Sequence, residues 1–583
     1  MTMKAAMTSS SSYVSSGDHT HRMDSFRLGS CQKLCHQKLC QKLSSVAIGH
    51  VLWHSLLKFF SKMCLKAGTV VRLQGLVTLG LVTLAMTLMT VTTLFIPQAY
   101  GDIKTAKKLF VKKRFQAAAP EYFKSYNFPK SGQEKTEATY GLARSLERSG
   151  LPYSASKYYS LVFLKGVNHP QFKNATTALG RIDSRVGLGR AHAIQLFSRK
   201  ISPSNISGAA RGFYFYYQGL EAFSKKAWQK ASRSFSRINS SSTYYHKAQF
   251  HLGVISALRN NLARAIKYFQ TAQAGSDTLA VQASLNMARS YYEKRNFRKA
   301  FQHYANVQRD NEYWLDTIFE SAWAFFILKK HNNVLGNIHT IHSPFYSNRF
   351  YPESYVLQAI TFLRLCRYNQ VKQSQRIFRS TYKPLNVSLK RVIGEFNSQP
   401  VEFFNLIKTY KDGSLNRYEK AWPIIDYLAR TNVFKAAYET VRRSDQELSK
   451  LGNTPTAWRN VGLEDELADF LRKKKEAAMH TGGVNLLKIA RESLSYLRDL
   501  SSQTDFIQLE MNLGKIDKLR EKLKIVASRE QERTNFIGGL QELKIGQKLE
   551  YWPFQGEYWE DELGGYVFNV DSKCSQNNTP GDS

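Results

Sequence analysis

The chain has 583 residues, 43% hydrophobic and 13% aromatic, so it has the material for a large buried core. Its 83 Lys and Arg against 45 Asp and Glu leave a formal charge of +38, which fits anionic surroundings but fits equally well cations spread over the solvated faces of a large helical array. The only dense basic run is Arg472 to Lys475, so charge alone does not indicate nucleic acid, and six cysteines in this length exclude a disulfide-framework protein.

Residues 1–62 open with a serine-rich run and then repeat a phrase: Cys31-Gln-Lys-Leu, Cys35-His-Gln-Lys-Leu, Cys40-Gln-Lys-Leu. Low complexity explains this better than a metal site at Cys31, Cys35, His36 and Cys40, and the stretch reads as a leader preceding a true start near Met63. Within 63–101, the uncharged segment from Leu73 to Gly101 follows Lys58, Lys62, Lys66 and Arg72 and ends in Ala99-Tyr100-Gly101. That is the pattern of a signal peptide cleaved before Asp102. An uncleaved anchor contacting the membrane through 73–101 is the alternative, and the cations from Lys104 to Arg114 favour it by the positive-inside rule.

From 102 to 385 the chain reads as helix pairs. Ala231, Ala265 and Ala300 follow one another at 34 and 35 residues. Each has an apolar or aromatic residue three places before (Trp228, Leu262, Phe297), an aromatic four places after (Phe235, Phe269, Tyr304) and a small residue twelve before (Gly219, Gly253, Ala288). This is the spacing of the tetratricopeptide repeat (TPR), in which helix pairs stack because none buries its apolar face alone. Phe115, Ala118 and Tyr122 give part of an earlier unit, and Leu142, Ala143, Gly150, Ala155 and Tyr159 most of another. The 76 residues between Ala155 and Ala231 leave room for a degenerate unit, and looser units centre on Ala324 and Ala359. The expected fold is therefore all-α, a right-handed α-solenoid of about seven or more units ending near Pro384.

In such an array the first helix of each pair lines the concave face. Phe213, Tyr216, Phe223, Phe250, Arg289, Tyr292 and Phe325 fall at those positions. Either they form a partner-binding groove, or winding buries them between adjacent helices.

Residues 386–545 read as a further helical region. Its apolar residues Leu494, Leu497 and Leu500, then Phe506, Leu509, Leu513, Ile516, Leu519 and Leu523, step by three and four, as in one or two long amphipathic helices. Such a stripe packs on its own domain or meets a coiled-coil partner. In 546–583, an aromatic and acidic phrase from Tyr551 to Tyr566 precedes a polar tail. Its Trp552, Phe554, Glu557, Trp559, Asp561 and Glu562 are candidates for docking back, as the amphipathic helices before them also are, into the basic, aromatic concave face of the array.

No phosphate-binding glycine loop, nucleophile elbow, HExxH or paired CxxC is present, so no catalytic residue, metal site or cofactor is expected. His339 and His342, and the acids Glu557, Glu560, Asp561 and Glu562, are weak exceptions, read as packed or docking residues. Cys366 and Cys574, the two cysteines beyond residue 64, read as buried inert thiols; they could pair in an oxidising compartment, but at 208 residues apart the sequence gives that no support.

Two phrases carry a family resemblance. The stretch Leu335 to Glu353, containing Ser343-Pro-Phe-Tyr346, and the terminal Trp552-Pro-Phe-Gln-Gly-Glu-Tyr-Trp559 with Asp561-Glu-Leu-Gly564 resemble the exported TPR proteins of delta-proteobacteria, some of which belong to gliding-motility and envelope machinery. The resemblance implies a non-enzymatic scaffold in the periplasm or at the outer membrane, with an inner-membrane anchor as alternative. It implies other envelope proteins or peptides as partners and assigns no binding residue.

Overall fold

A computed structural model describes residues 101–197, 201–529 and 556–574. The leader, the apolar segment up to residue 100, and Trp552 and Phe554 lie outside the described residues. Those described hold 21 α-helices and no strand, so the chain is all-α.

Most helices follow in pairs: α1 (Ile103–Val111) with α2 (Phe115–Asn127) and α3 (Gly132–Arg148) with α4 (Pro152–Leu164), after which α5 (Phe172–Val186) packs on α4 and the short α6 (Arg190–Phe197) on the helix that follows it. Then come α7 (Gly208–Ser224) with α8 (Trp228–Phe235), α9 (Tyr245–Leu258) with α10 (Leu262–Ala272), and α11 (Asp277–Glu293) with α12 (Phe297–Ala305). Next are α13 (Trp314–Ile327) with α14 (His331–Ile341) and α15 (Glu353–Arg364) with α16 (Tyr368–Phe396). After them lie α17 (Pro400–Lys411), α18 (Trp422–Arg430), α19 (Asn432–Leu451), α20 (Thr456–Asn460) and α21 (Leu463–Arg529).

Seven of the pair turns are built alike. Lys113, Gly150, Lys226, Asn260, Arg295, Lys329 and Cys366 all sit in the left-handed region, with φ between 52° and 79°. In each, the next residue's N–H reaches back to a carbonyl five residues earlier, as Asn261 does to Ser256 and Asn296 to Tyr291. This is the Schellman closure, which satisfies carbonyls that the end of a helix leaves unpaired. Five residues after each left-handed residue stands a small side chain with no exposed surface: Ala118, Ala155, Ala231, Ala265, Ala300, Val334 and Val371. The small residue and the turn together fix how closely the second helix lies on the first. A Cβ on Gly219 would come within 2.5 Å of the Phe235 ring, which is why that position is glycine. Between α5 and α6 the pattern lapses: two glycines in the left-handed region, Gly187 and Gly189, stand where the single turn residue would, and α6 packs on α7 in place of α5.

The boundary expected at 385 falls inside α16, which continues through Pro384. The following helices build a core in which Phe403 and Phe404 of α17, Ile424 and Leu428 of α18 and Phe434 of α19 meet Leu486 and Leu487 of α21, and they also pack on the array. Trp458 of α20 is fully buried, its indole N–H donates to the Gln116 carbonyl at 2.8 Å, and Leu463, Leu467 and Leu471 of α21 join the same apolar core as the first ten helices. Glu447 of α19 caps the start of α4, accepting from the N–H groups of Tyr153 and Ser154 at 2.5 and 3.0 Å and from the Ser154 hydroxyl at 2.8 Å. Leu151, the residue preceding α4, makes no side-chain cap of its own.

α21 is one helix of 67 residues, where the stripe from Leu494 to Leu523 suggested one or two. Gly482 and Gly483 do not break it; a Cβ on Gly483 would fall 1.8 Å from the Pro400 carbonyl oxygen, so the glycine pair lets the start of α17 lie directly on the helix. α21 touches the chain along much of its length. Glu466 accepts from Lys157 and the Tyr158 hydroxyl, Lys474 donates to the Leu188 carbonyl, Tyr496 bonds to Glu353, and the Thr504 carbonyl accepts from Gln375 of α16.

Candidate functional site

The residues expected to line a concave groove are mostly interior. Phe213, Tyr216, Phe223, Phe250 and Arg289 are buried, and Tyr292 and Phe325 half-buried. The aromatics pack on one another: Phe213 lies edge-on to Tyr217, Tyr216 against Tyr244, Phe223 against Trp228, and Phe325 stacks on Phe301 at 4.5 Å. Arg289 gives its guanidinium to Glu320, at 3.0 Å through Nε and 2.6 Å through Nη2, while the Tyr304 hydroxyl donates to the same carboxylate. These side chains hold helices together, and the packing reading of them is the one their burial fits.

The surface that does receive a peptide lies on α13 to α16, and its occupant is residues 556–574 of this chain. Arg309, in the loop before α13, donates to three consecutive-turn carbonyls, Glu560 at 2.6 Å, Asp561 at 2.9 Å and Leu563 at 2.7 Å. Leu563 then enters a pocket of Val307, Trp314, Leu315 and Ile341. Gly564 adopts φ +89° under the Trp314 ring and gives its N–H to the Thr340 hydroxyl at 2.9 Å. Beyond it the chain alternates, with Tyr566, Phe568 and Val570 turned inward and Val567, Asn569 and Asp571 exposed. Asn332 of α14 accepts twice, from Phe568 N–H through its carbonyl and from Val570 N–H through Oδ1. Arg367 donates to the Asp571 carbonyl, Lys573 N–H to the Leu365 carbonyl, and Lys518 of α21 to the Lys573 carbonyl.

Two features of this contact differ from the sequence expectation. First, the arginines meet main-chain carbonyls and not acidic side chains: Asp561 and Glu562 are exposed, Glu557 is half-buried and Trp559 is half-exposed. Carbonyl recognition is indifferent to the side chains around it; the specificity lies in Leu563, the glycine after it and the inward aromatics. Second, Cys366 and Cys574 are not inert thiols. They form a disulfide with Cα atoms 5.1 Å apart. Cys366 is the left-handed turn residue between α15 and α16, a position that points its side chain away from the helices and toward the passing tail.

His339 and His342 are both engaged in packing. His339 stacks on Tyr558 at 4.5 Å and meets Tyr566 and Phe568 edge-on. His342 stacks on Tyr355 and bonds to the Ser354 hydroxyl at 2.7 Å, and burial pushes its pKa down to about 3. Among the described residues no three His, Cys, Asp or Glu side chains stand close enough to hold a metal ion. Nor is any described helix long and apolar enough to cross a membrane.

Sequence reading missed Arg309, Asn332, Thr340 and Gly336. Only Gly336 carried a signal, as a glycine inside a helix: a Cβ there would fall 1.7 Å from the Tyr566 carbonyl oxygen. Close by, the turns α11–α12 and α13–α14 frame an open cleft of about 690 Å³ lined by Lys294, Arg295, Arg298 and Lys330 with Phe297, Phe301 and Leu328. Four cations and no acid line it. No protein-family model matches this chain, and no curated protein matches it.

Proposed function

We propose that this chain is a non-enzymatic protein–protein interaction scaffold of the bacterial cell envelope, built from tetratricopeptide-type helix pairs stacked as a solenoid and working outside the cytoplasm. The observation that carries the location is the Cys366–Cys574 bond, because disulfides persist in oxidising compartments and are rare where thiols are kept reduced. The recurrence of one turn geometry at a period near 34 residues supports the repeat type. A scaffold role is supported by a core spent on stacking helices and by a cleft that is open and basic. Its partners are other envelope proteins or peptides, met on outer surfaces, since the side chains of the anticipated groove are occupied with one another.

A second reading, a membrane-anchored or cytoplasmic adaptor, is favoured by the exposed Lys104, Lys107, Lys108, Lys112 and Lys113 that directly follow the apolar segment. One experiment separates the two. Intact cells are treated with a thiol-alkylating reagent that crosses membranes, before and after reduction, and the mature N-terminus is sequenced from fractionated cells. Cys366 and Cys574 labelled only after reduction, in a periplasmic or outer-membrane fraction starting near Asp102, is the result expected. Free thiols in a cytoplasmic or inner-membrane protein would overturn the envelope reading and promote the adaptor.

A further inference from the structure

α21 is apolar on two opposite faces over its last described turns. One face is used: Leu497, Leu500, Thr504, Ile507 and Met511 are buried, and Gly514 lies under the Tyr368 hydroxyl of α16. The other is bare. Phe506, Leu509, Leu513, Ile516 and Leu519 are between 44% and 61% exposed, the densest run of exposed large apolar side chains among the described residues. A helix apolar on two sides needs a neighbour on each. The bare residues step by three, four, three and three, the period of a helix seam that meets another helix rather than the broad face of one lying on lipid.

The charges beside this seam are as informative as the seam. Asp499, Glu510 and Asp517 are all exposed and stand 11 and 7 residues apart, which at 3.6 residues per turn places them on one line along a single edge. Asp517 has a loose, exposed contact with Arg520 at 3.6 Å, and neither Asp499 nor Glu510 has an ion-pair partner among the described residues. On the opposite edge Asp505 is held by Arg379 of α16 at 2.9 Å. In a chain of formal charge +38 this edge is a local reversal of sign.

We propose that the outer face of α21 between Phe506 and Leu519 is a docking surface for an amphipathic helix of a partner protein whose apolar seam is flanked by lysine or arginine. A second copy of this chain fits poorly: an antiparallel pair would set the acidic edge against itself, and a parallel pair would set it against Asn512 and Asp505. An anionic lipid surface would be repelled by the same edge.

The test uses the full chain and two synthetic helical peptides sharing one leucine seam with three-and-four spacing, flanked by lysine in one and glutamate in the other. The overall charge of the protein favours the glutamate peptide, so a preference for lysine comes only from the local edge. Fluorescence anisotropy is expected to show binding of the lysine peptide and little of the glutamate one. Leu513→Asp, at an exposed position that leaves helicity and melting unchanged, weakens that binding at least about tenfold, and the triple change Asp499→Lys, Glu510→Lys, Asp517→Lys inverts the preference. Neither peptide binding, equal binding of both, or binding that survives Leu513→Asp would overturn the proposal. So would a wild-type dimer in light scattering that Leu513→Asp splits, which would make the occupant a second copy. Capture by anionic vesicles that the same substitution abolishes would make it a membrane.

Discussion

Lys113, Lys226, Arg295 and Lys329 occupy backbone positions that L side chains rarely adopt, and each does so at a turn whose hydrogen bonds over-determine it. A left-handed residue costs roughly 1 kcal/mol unless it is glycine, part of which glycine returns through a freer unfolded chain. Lys329→Gly is therefore expected to raise unfolding free energy by about 0.5 kcal/mol, and Gly150→Ala to lower it by about 1 kcal/mol, both read from denaturant midpoints at constant slope. In the first turn of α13, Asp316 accepts from the Tyr351 hydroxyl at 2.7 Å, and burial pushes its pKa up to about 6 from 3.8. The folded state thus holds this proton more tightly than the unfolded one, so the contribution is present at low pH and lost as pH rises from about 4 through 6. Asp316→Asn should match wild type near pH 4 and exceed it by roughly 1–3 kcal/mol at pH 8. His192 and His342, pushed down to about 4 and 3 by burial, work in the opposite sense below pH 6.5. The difference between mutant and wild type, measured across pH, isolates Asp316 from them.

Among the elements, α4 owes its start to a residue 294 positions away. Removing that acceptor in Glu447→Ala leaves two N–H groups and the Ser154 hydroxyl without it in a dry site, at a cost of about 2 kcal/mol. Faster hydrogen exchange confined to the first turn of α4 and the facing part of α19 is the expected signature; unchanged protection there would refute the cap. This contact also marks where sequence reading stops. The turn period was legible because it is written in residues a few places apart: a small residue, an aromatic, a turn. The cap by Glu447, the clamp by Arg309 and the lane of α21 join residues hundreds of positions apart and leave no local spacing. The groove and packing readings of the first helices stayed open in sequence for a different reason. Aromatic side chains on the first helix of a pair look the same in sequence whether they await a ligand or fill the space beside Tyr244 and His251, and here Phe213, Tyr216 and Phe223 fill it. The stripe of α21 was legible as a stripe, but Leu497 and Leu500 face inward and Leu509 and Leu513 outward, a division made by where α16 ends up and not by the period itself.

At the scale of the molecule, the tail is held twice, by its buried Leu563 and main-chain clamps and by a covalent bond that closes a 208-residue loop. Cys574→Ser is expected to cost about 2–4 kcal/mol against unfolding, and reduction of the wild type should reproduce that loss. Gly336→Val drives a side chain into the Tyr566 carbonyl; limited proteolysis should then remove the tail from reduced protein quickly, while the intact fragment stays attached by the disulfide in oxidised protein. Rapid loss of the tail from reduced wild type would show that the clamps contribute little. There is also an order in time. Cys366 emerges during synthesis 208 residues ahead of Cys574, and the pocket of Trp314, Leu315 and Ile341 ahead of Leu563 by a similar margin. Throughout that interval the growing chain carries an unsealed apolar face and a reactive thiol at an outward-pointing turn, open to wrong pairing with any other thiol nearby. A chain that lacks Cys574 keeps the Cys366 thiol free, so alkylation of that one side chain separates molecules with a closed tail from those without.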